Sequence, residues 1–395
     1  KPLSAEKQAM AAEIAGRREL WNGSPANTNL CFHNGDAVDA FADLVVKYAK
    51  ENPAVDYLHV WLADEYNNVC ECDGCRQTTP SDQYVQLLNE IDRRLAAENL
   101  PTRIVFLLYQ ELLWPPVKAR LAHPDRFVLM FAPISRTFES SYDLGASEVP
   151  IPTFERNHIV LPTNLQENLA FLRGWQHLFR GDSFVYDYPL GRAHYGDFGY
   201  VHISHVIAND IKQLHKMGLD GYISCQELRV SFPNALPNYV MGYTLFDETY
   251  DPHSLIQEYF SAAYGERANE VLSYLNQLSE WSSCDYLNGK GPRIDTGIAE
   301  RMKRISLLCQ DFSTAPPEHG LTLFWRILQY HREYTMALSR AMEALARGDS
   351  EQAAAGWRTL RDLICKNELE YQPFLDVYRI LEVTRKYTGF PLTEE

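Results

Sequence analysis

Apolar side chains recur at helical spacing after Asn34-Gly35-Asp36. Val38, Phe41, Val45 and Tyr48 share one face, and Asn52-Pro53 stops the run. Asp36 is the expected cap. The next run, Tyr57-Leu58-His59-Val60-Trp61-Leu62-Ala63, is too short for a helix and reads as a buried parallel strand. A second helix is expected from Ser81, with Tyr84, Leu87, Leu88, Ile91 and Leu95 on one face and Pro101 ending it. Strands follow at 103–109 and 127–131. An irregular, Pro-rich stretch then runs from Pro133 to Pro162, and loops that long are usually functional. Leu165, Leu169, Leu172, Trp175 and Phe179 mark a third helix, and 183–188 a strand. Ile203, Val206, Ile207, Ile211 and Leu214 mark a fourth helix, and 221–225 the last strand.

This alternation predicts a parallel sheet with helical crossovers. Five strands are clear and a sixth, weak one is expected at Asn29-Leu30-Cys31-Phe32. A closed (β/α)8 TIM-type barrel needs eight, so the expected fold is α/β: either an open sheet, or such a barrel lacking its first two strands in this chain. Beyond about Asp251 only helical patterns remain. The expected division is a partial barrel, strands three to eight, over residues 1–250, and an α-helical C-terminal domain over 251–395.

Composition narrows the partners. Apolar types make up 46% and charged types 23%, as in ordinary globular chains. The net charge of −15 repels a phosphate backbone, and no basic patch offsets it, so nucleic acid is not an expected partner. No apolar run is long enough for a membrane span, and no signal-peptide pattern opens the chain at Lys1-Pro2. The 23 Tyr, 18 Phe and 7 Trp suit sugar-stacking platforms and a large core equally.

Ligands of parallel sheets bind at the carboxyl ends of the strands. Those ends carry Trp61, Asp64, Glu65 and Tyr66; Tyr109 and Trp114; Tyr186, Asp187 and Tyr188; and Glu227. Carboxylates and rings are the chemistry of a sugar site. Asp64-Glu65 is the sharpest feature, because paired carboxyls can supply one acid and one base; its competitor is a helix cap or surface ion pair. Asp247-Glu248 reads as a solvated helix terminus. Cys70-Glu71-Cys72-Asp73-Gly74-Cys75 resembles metal-ligand spacing, with Cys31 the candidate fourth ligand of a structural zinc site. Reduced thiols or a loop disulfide are the alternatives. Cys225, Cys284, Cys309 and Cys365 read as small buried hydrophobes. No catalytic cofactor is expected: no His-rich metal pattern, phosphate-cradling glycine loop or serine elbow occurs.

The order of Leu30-Cys31-Phe32-His33-Asn34, Glu51-Asn52-Pro53, Asp64-Glu65, the Cys-x-Cys-x-x-Cys segment, Tyr109 with Pro115-Pro116, Trp175, Tyr186-Asp187-Tyr188 and Tyr264-Gly265 resembles the bacterial domain of unknown function 4838 family. Its characterised relatives include glycoside hydrolase family 163. The resemblance implies a (β/α)8 barrel similar to that of family 20 hexosaminidases, acting as an endo-β-N-acetylglucosaminidase on N-glycans. It implies that Asp64 orients the substrate's 2-acetamido group and Glu65 is the general acid, with the Tyr57–Ala63 strand as strand four. Tyr186 or Tyr188 would then bond the acetamide oxygen, and Glu227 a sugar hydroxyl. Two other readings stand beside it. One is a non-catalytic glycan-binding barrel. The other is an α-glucuronidase-like enzyme with Glu65 and Glu227 as separated carboxylates and Arg136 or Arg192 for the uronate. Export follows from the resemblance, a reducing compartment from unpaired thiols.

Overall fold

The computed structural model describes residues 3–314 and 322–390. The expected domain ranges also include residues 1–2, 315–321 and 391–395, which lie outside the described residues. The fold is mixed α/β, and the chain divides into two compact units. The first comprises residues 3–136, 143–187 and 215–223; the second comprises 137–142, 188–214, 224–314 and 322–390.

The first unit is built on a five-stranded sheet: β1 (Tyr57–His59), β2 (Arg103–Leu108), β3 (Phe127–Phe131), β4 (Ser183–Asp187) and β5 (Gly221–Ser224), in that spatial order. The pairings β1–β2, β2–β3 and β3–β4 are parallel, with Leu58 opposite Ile104 and Val105 opposite Val128. Residues of β2 and β3 are buried on both faces, which explains their unbroken apolar runs. The sheet is curled. In a flat sheet three strand spacings separate β1 from β4 by about 14 Å. Yet the ring of Trp61, just past β1, lies 6.1 Å from that of Tyr186, and His59 lies 6.2 Å from Phe184. These four rings share the concave face.

The helices α1 (Gly35–Glu51), α2 (Pro80–Ala97) and α3 (Leu165–Gln176) follow the expected faces. Their caps do not. Asn34, not Asp36, caps α1: its Oδ1 accepts from the amides of Asp36 and Ala37. Thr79, not Ser81, caps α2 in a capping box with Asp82, ahead of Pro80. Ser81 is buried and donates to the Trp114 carbonyl at 2.5 Å. From α2, the Tyr84 hydroxyl donates to the Val60 carbonyl (2.5 Å) and accepts from the Leu107 amide (3.2 Å), tying helix to β1 and β2. Trp175 of α3 packs on Phe106, and its indole donates to the carbonyls of Leu112 and Leu113.

The weak strand at Asn29–Phe32 does not join this sheet. Leu30 forms an antiparallel bridge with Ala11, since the amide of Cys31 donates to Met10 and the carbonyl of Asn29 accepts from Ala12. Its Asn29 carbonyl and Cys31 amide are therefore already paired.

The second unit is helical apart from short connections. It includes α4 (Val201–Gln213), which follows β4 in the chain, and long helices at Thr296–Asp311, Leu323–Ala346 and Ser350–Lys366. Its core is rich in rings, among them Phe232, Tyr330 and Tyr334. Among the described residues, no helix is long and apolar enough to cross a membrane.

Candidate functional site

Past β1 the chain stays extended while the Val60 amide donates to Val105, then turns sharply. Glu65 has φ +65° and Asn67 +59°; across the sheet edge, Gln110 after β2 has +54°. Left-handed conformations cost L-residues roughly 1–3 kcal/mol each and persist only where surroundings enforce them. Here the two turns lock each other. The Gln110 side-chain amide, oriented to satisfy both its atoms, donates to the Glu65 carbonyl and accepts from the Glu65 amide at 3.3 Å. Glu111 Oε1 accepts from the Asn67 amide at 2.5 Å. Glu111 is buried, and burial pushes its carboxyl above the usual range. Strain concentrated at strand carboxyl ends is where ligand chemistry is expected.

The two adjacent carboxylates face different partners. Asp64 Oδ1 accepts from its neighbour's amide (Glu65 N, 2.8 Å) and from the Tyr109 hydroxyl at 3.2 Å. Among the described residues nothing donates to Asp64 Oδ2. Glu65 points the other way, into the segment 21–27. Its Oε2 accepts from Trp21 Nε1 (3.0 Å) and Asn22 Nδ2 (3.2 Å), and its Oε1 from Asn27 Nδ2 (3.0 Å). Asn68, fully buried, ties the two segments by donating to the carbonyls of Asn27 and Asp64.

Trp61 and Tyr66, close in sequence to the carboxylates, are each 45% exposed. Tyr186 meets Trp61 edge-on. The other sequence candidates have partners of their own. Trp114 is buried against Phe154 and Phe171, and its indole donates to the Pro152 carbonyl (2.7 Å); it is a core ring with no free face. Asp187 is buried and pairs with the buried Arg136 at 3.2 Å. Tyr188 and Glu227 belong to the second unit, where Glu227 Oε1 accepts from Arg379 Nε at 2.7 Å. Arg192 stacks on Tyr387 in that unit. Asp247 ends a helix and caps a turn at Thr249.

Sequence reasoning passed over Arg156 and Asn157. Arg156 donates to the carbonyls of Cys70 (2.8 Å), Cys75 (2.8 Å) and Thr78 (2.6 Å). Asn157 pairs with both backbone groups of Val69 at 2.9 Å. The irregular stretch thus clamps the loop that carries Asp64 and Glu65. Only the length of that stretch hinted at it.

The same loop brings four sulfurs together. Cys31, Cys70, Cys72 and Cys75 have Sγ atoms within 4.8 Å of one another, with Cys31 at 3.6 Å from Cys72 and 3.8 Å from Cys75. Hydrogen bonds from Cys70 and Cys75 hold the Cys31 thiol far below its usual range, and the bond to Cys31 pushes Cys75 up.

A search of curated proteins finds no match. Among solved structures, an O-GlcNAc hydrolase mutant of Thermobaculum terrenum matches over 90% of this chain and 76% of its own, at 11% identity and a TM-score of 0.37, too low to equate the two folds. Residues 16–276, well over half the chain, match the family described as "Domain of unknown function (DUF4838)", and the chain belongs to that family.

Proposed function

We propose that the protein is a glycoside hydrolase that cleaves β-N-acetylglucosaminides, of the endo type on N-glycans, with retention and with the substrate's own acetamide as nucleophile. On this reading the curled sheet supplies strands four to eight of a (β/α)8 barrel, β1 being the fourth. The observation that carries the proposal is the divergence of Asp64 and Glu65 at the end of β1, beside the exposed rings of Trp61 and Tyr66.

The chemistry follows from that divergence. The acetamide oxygen attacks the anomeric carbon while Glu65 gives a proton to the departing oxygen. Asp64, steadied by the Tyr109 hydroxyl, receives the acetamide N–H on Oδ2 and stabilises the charge that develops there. Glu65 then takes a proton from the water that opens the oxazoline. A conventional nucleophile would instead stand about 5–5.5 Å across the sugar from the acid, on another strand. One N–H of Trp21, Asn22 or Asn27 must release Glu65 before it can reach a leaving oxygen. That saturation of Glu65 favours a second reading, a glycan-binding face without turnover.

The test is Asp64→Asn with a thiazoline analogue. The wild type should bind the thiazoline tightly, and Asp64→Asn should lose both that binding and turnover of N-acetylglucosaminides. Equal turnover of sugars lacking the acetamido group, or a trapped covalent glycosyl-enzyme, contradicts the mechanism. Tight sugar binding with no turnover by the wild type leaves the second reading.

A further inference from the structure

We propose that Cys31, Cys70, Cys72 and Cys75 hold one zinc ion in a closed tetrahedron, and that this ion fastens segment 11–31 to the loop after β1.

Three independent observations carry this. The first is geometry. Zinc–thiolate bonds of about 2.3 Å set tetrahedral S···S edges of about 3.8 Å. The observed 3.6 and 3.8 Å from Cys31 fit that edge, all four sulfurs fall within 4.8 Å, and none is joined in a disulfide. The second is packing. These thiols form a separate small core with only Ala12 and Ile14, detached from the sheet's interior. Two aliphatic side chains bury too little area to order two distant segments at roughly 25 cal/mol per Å². Metal–sulfur bonds would add to the hydrogen bonds that join these segments. The third is the charge around the cluster. Four thiolates on Zn²⁺ leave a net −2. The Glu13 amide donates to Cys70 Sγ at 3.3 Å, and Arg156 grips the carbonyls of Cys70 and Cys75.

Binding balances as four thiols releasing four protons to give Zn(SR)4²⁻. With no fifth position for water, the ion is structural. Its mechanical effect follows from the chain path. Cys31 ends the segment whose Trp21, Asn22 and Asn27 hold Glu65, and Cys70 follows Glu65 by five residues. The ion would close the ring formed by these contacts.

The experiment uses the full chain purified without chelator. Elemental analysis should give about one zinc per chain. Modification of the thiols with a mercurial should release it, and cobalt substitution should give the visible bands of a tetrahedral thiolate site. Cys72→Ser, at the most exposed of the four, should lose zinc to background. Should that variant fail to fold, the mercurial release on the wild type decides alone. Hydrogen exchange should rise across residues 64–79 once zinc is removed. A zinc-free protein, iron in its place, or a disulfide among the four overturns the site; zinc release with unchanged exchange overturns the fastening role. None of these readouts needs glycosidase turnover, so their failure is distinct from failure of the proposed activity.

Discussion

Arg156→Met removes the charged fork while keeping much of the side chain's volume. Arg156 makes three bonds to loop carbonyls, at 2.8, 2.8 and 2.6 Å. Hydrogen bonds to charged groups contribute about 1.5–3 kcal/mol each when buried. Arg156 is only half-buried, and water repays part of the loss, so about 3–4 kcal/mol in total is the working figure. That energy stabilises the loop against local opening, not the sheet behind it. Amides that need the loop closed, at Glu71, Arg76 and Gln77, should therefore exchange roughly 10²–10³-fold faster, since each 1.4 kcal/mol is a factor of ten. The assay is hydrogen exchange with peptide resolution. It is run after chelation, so that no metal on the neighbouring thiols supports the loop. Peptides from β2 and β3 serve as the internal reference and should not change. Exchange of the loop within about threefold of wild type refutes the claim that the irregular stretch clamps the site.

Three further outcomes follow. His331 and His194 are fully buried, and burial pushes each down to about 3. Their unfolded forms titrate near 6.5, so the stability they allow is present above that pH and is lost as pH falls toward 3. Each should cost about 2 kcal/mol between pH 7 and 5, read by denaturant unfolding of wild type against His331→Asn; an unchanged pH slope in the variant refutes the assignment. Trp61→Ala should weaken glycan binding by about 1 kcal/mol with little effect on thermal stability, because the ring is exposed; calorimetric titration showing no change in affinity removes Trp61 from the site. Thr79→Ala should cost about 1 kcal/mol of stability through the lost α2 cap, measured as a shift in denaturant midpoint.

The sheet was legible because β2 and β3 are buried on both faces and so appear as continuous apolar runs. Helix faces were legible from their spacing. Caps were not: Asn34 and Thr79 lie two residues before the guessed Asp36 and Ser81, and any short polar residue there fits the pattern. Asp64-Glu65 stood out by position after a strand, but nothing local announced that Glu65 would be held by Trp21, Asn22 and Asn27, some 40 residues upstream. Trp114 shows the converse. A tryptophan near a strand end reads alike in sequence whether it faces ligand or core, and only the packing of Phe154 and Phe171 decides. Cys31 was singled out through a strand that does not form in the sheet. It meets the other thiols by way of the Ala11–Leu30 bridge, a non-local pairing that a short Asn-Leu-Cys-Phe run does not encode.

The most direct test of the account is the leaving-group dependence of Glu65→Gln. Hydrolysis of a chitobiose-linked glycopeptide and of an activated aryl N-acetylglucosaminide is compared in wild type and variant, with circular dichroism to confirm the fold. If Glu65 is the proton donor, the variant should lose on the order of 10²–10⁴-fold on the glycopeptide, whose leaving oxygen needs a proton, and far less on the aryl glycoside, which does not. Equal loss on both substrates, or undiminished hydrolysis of the glycopeptide, contradicts the account.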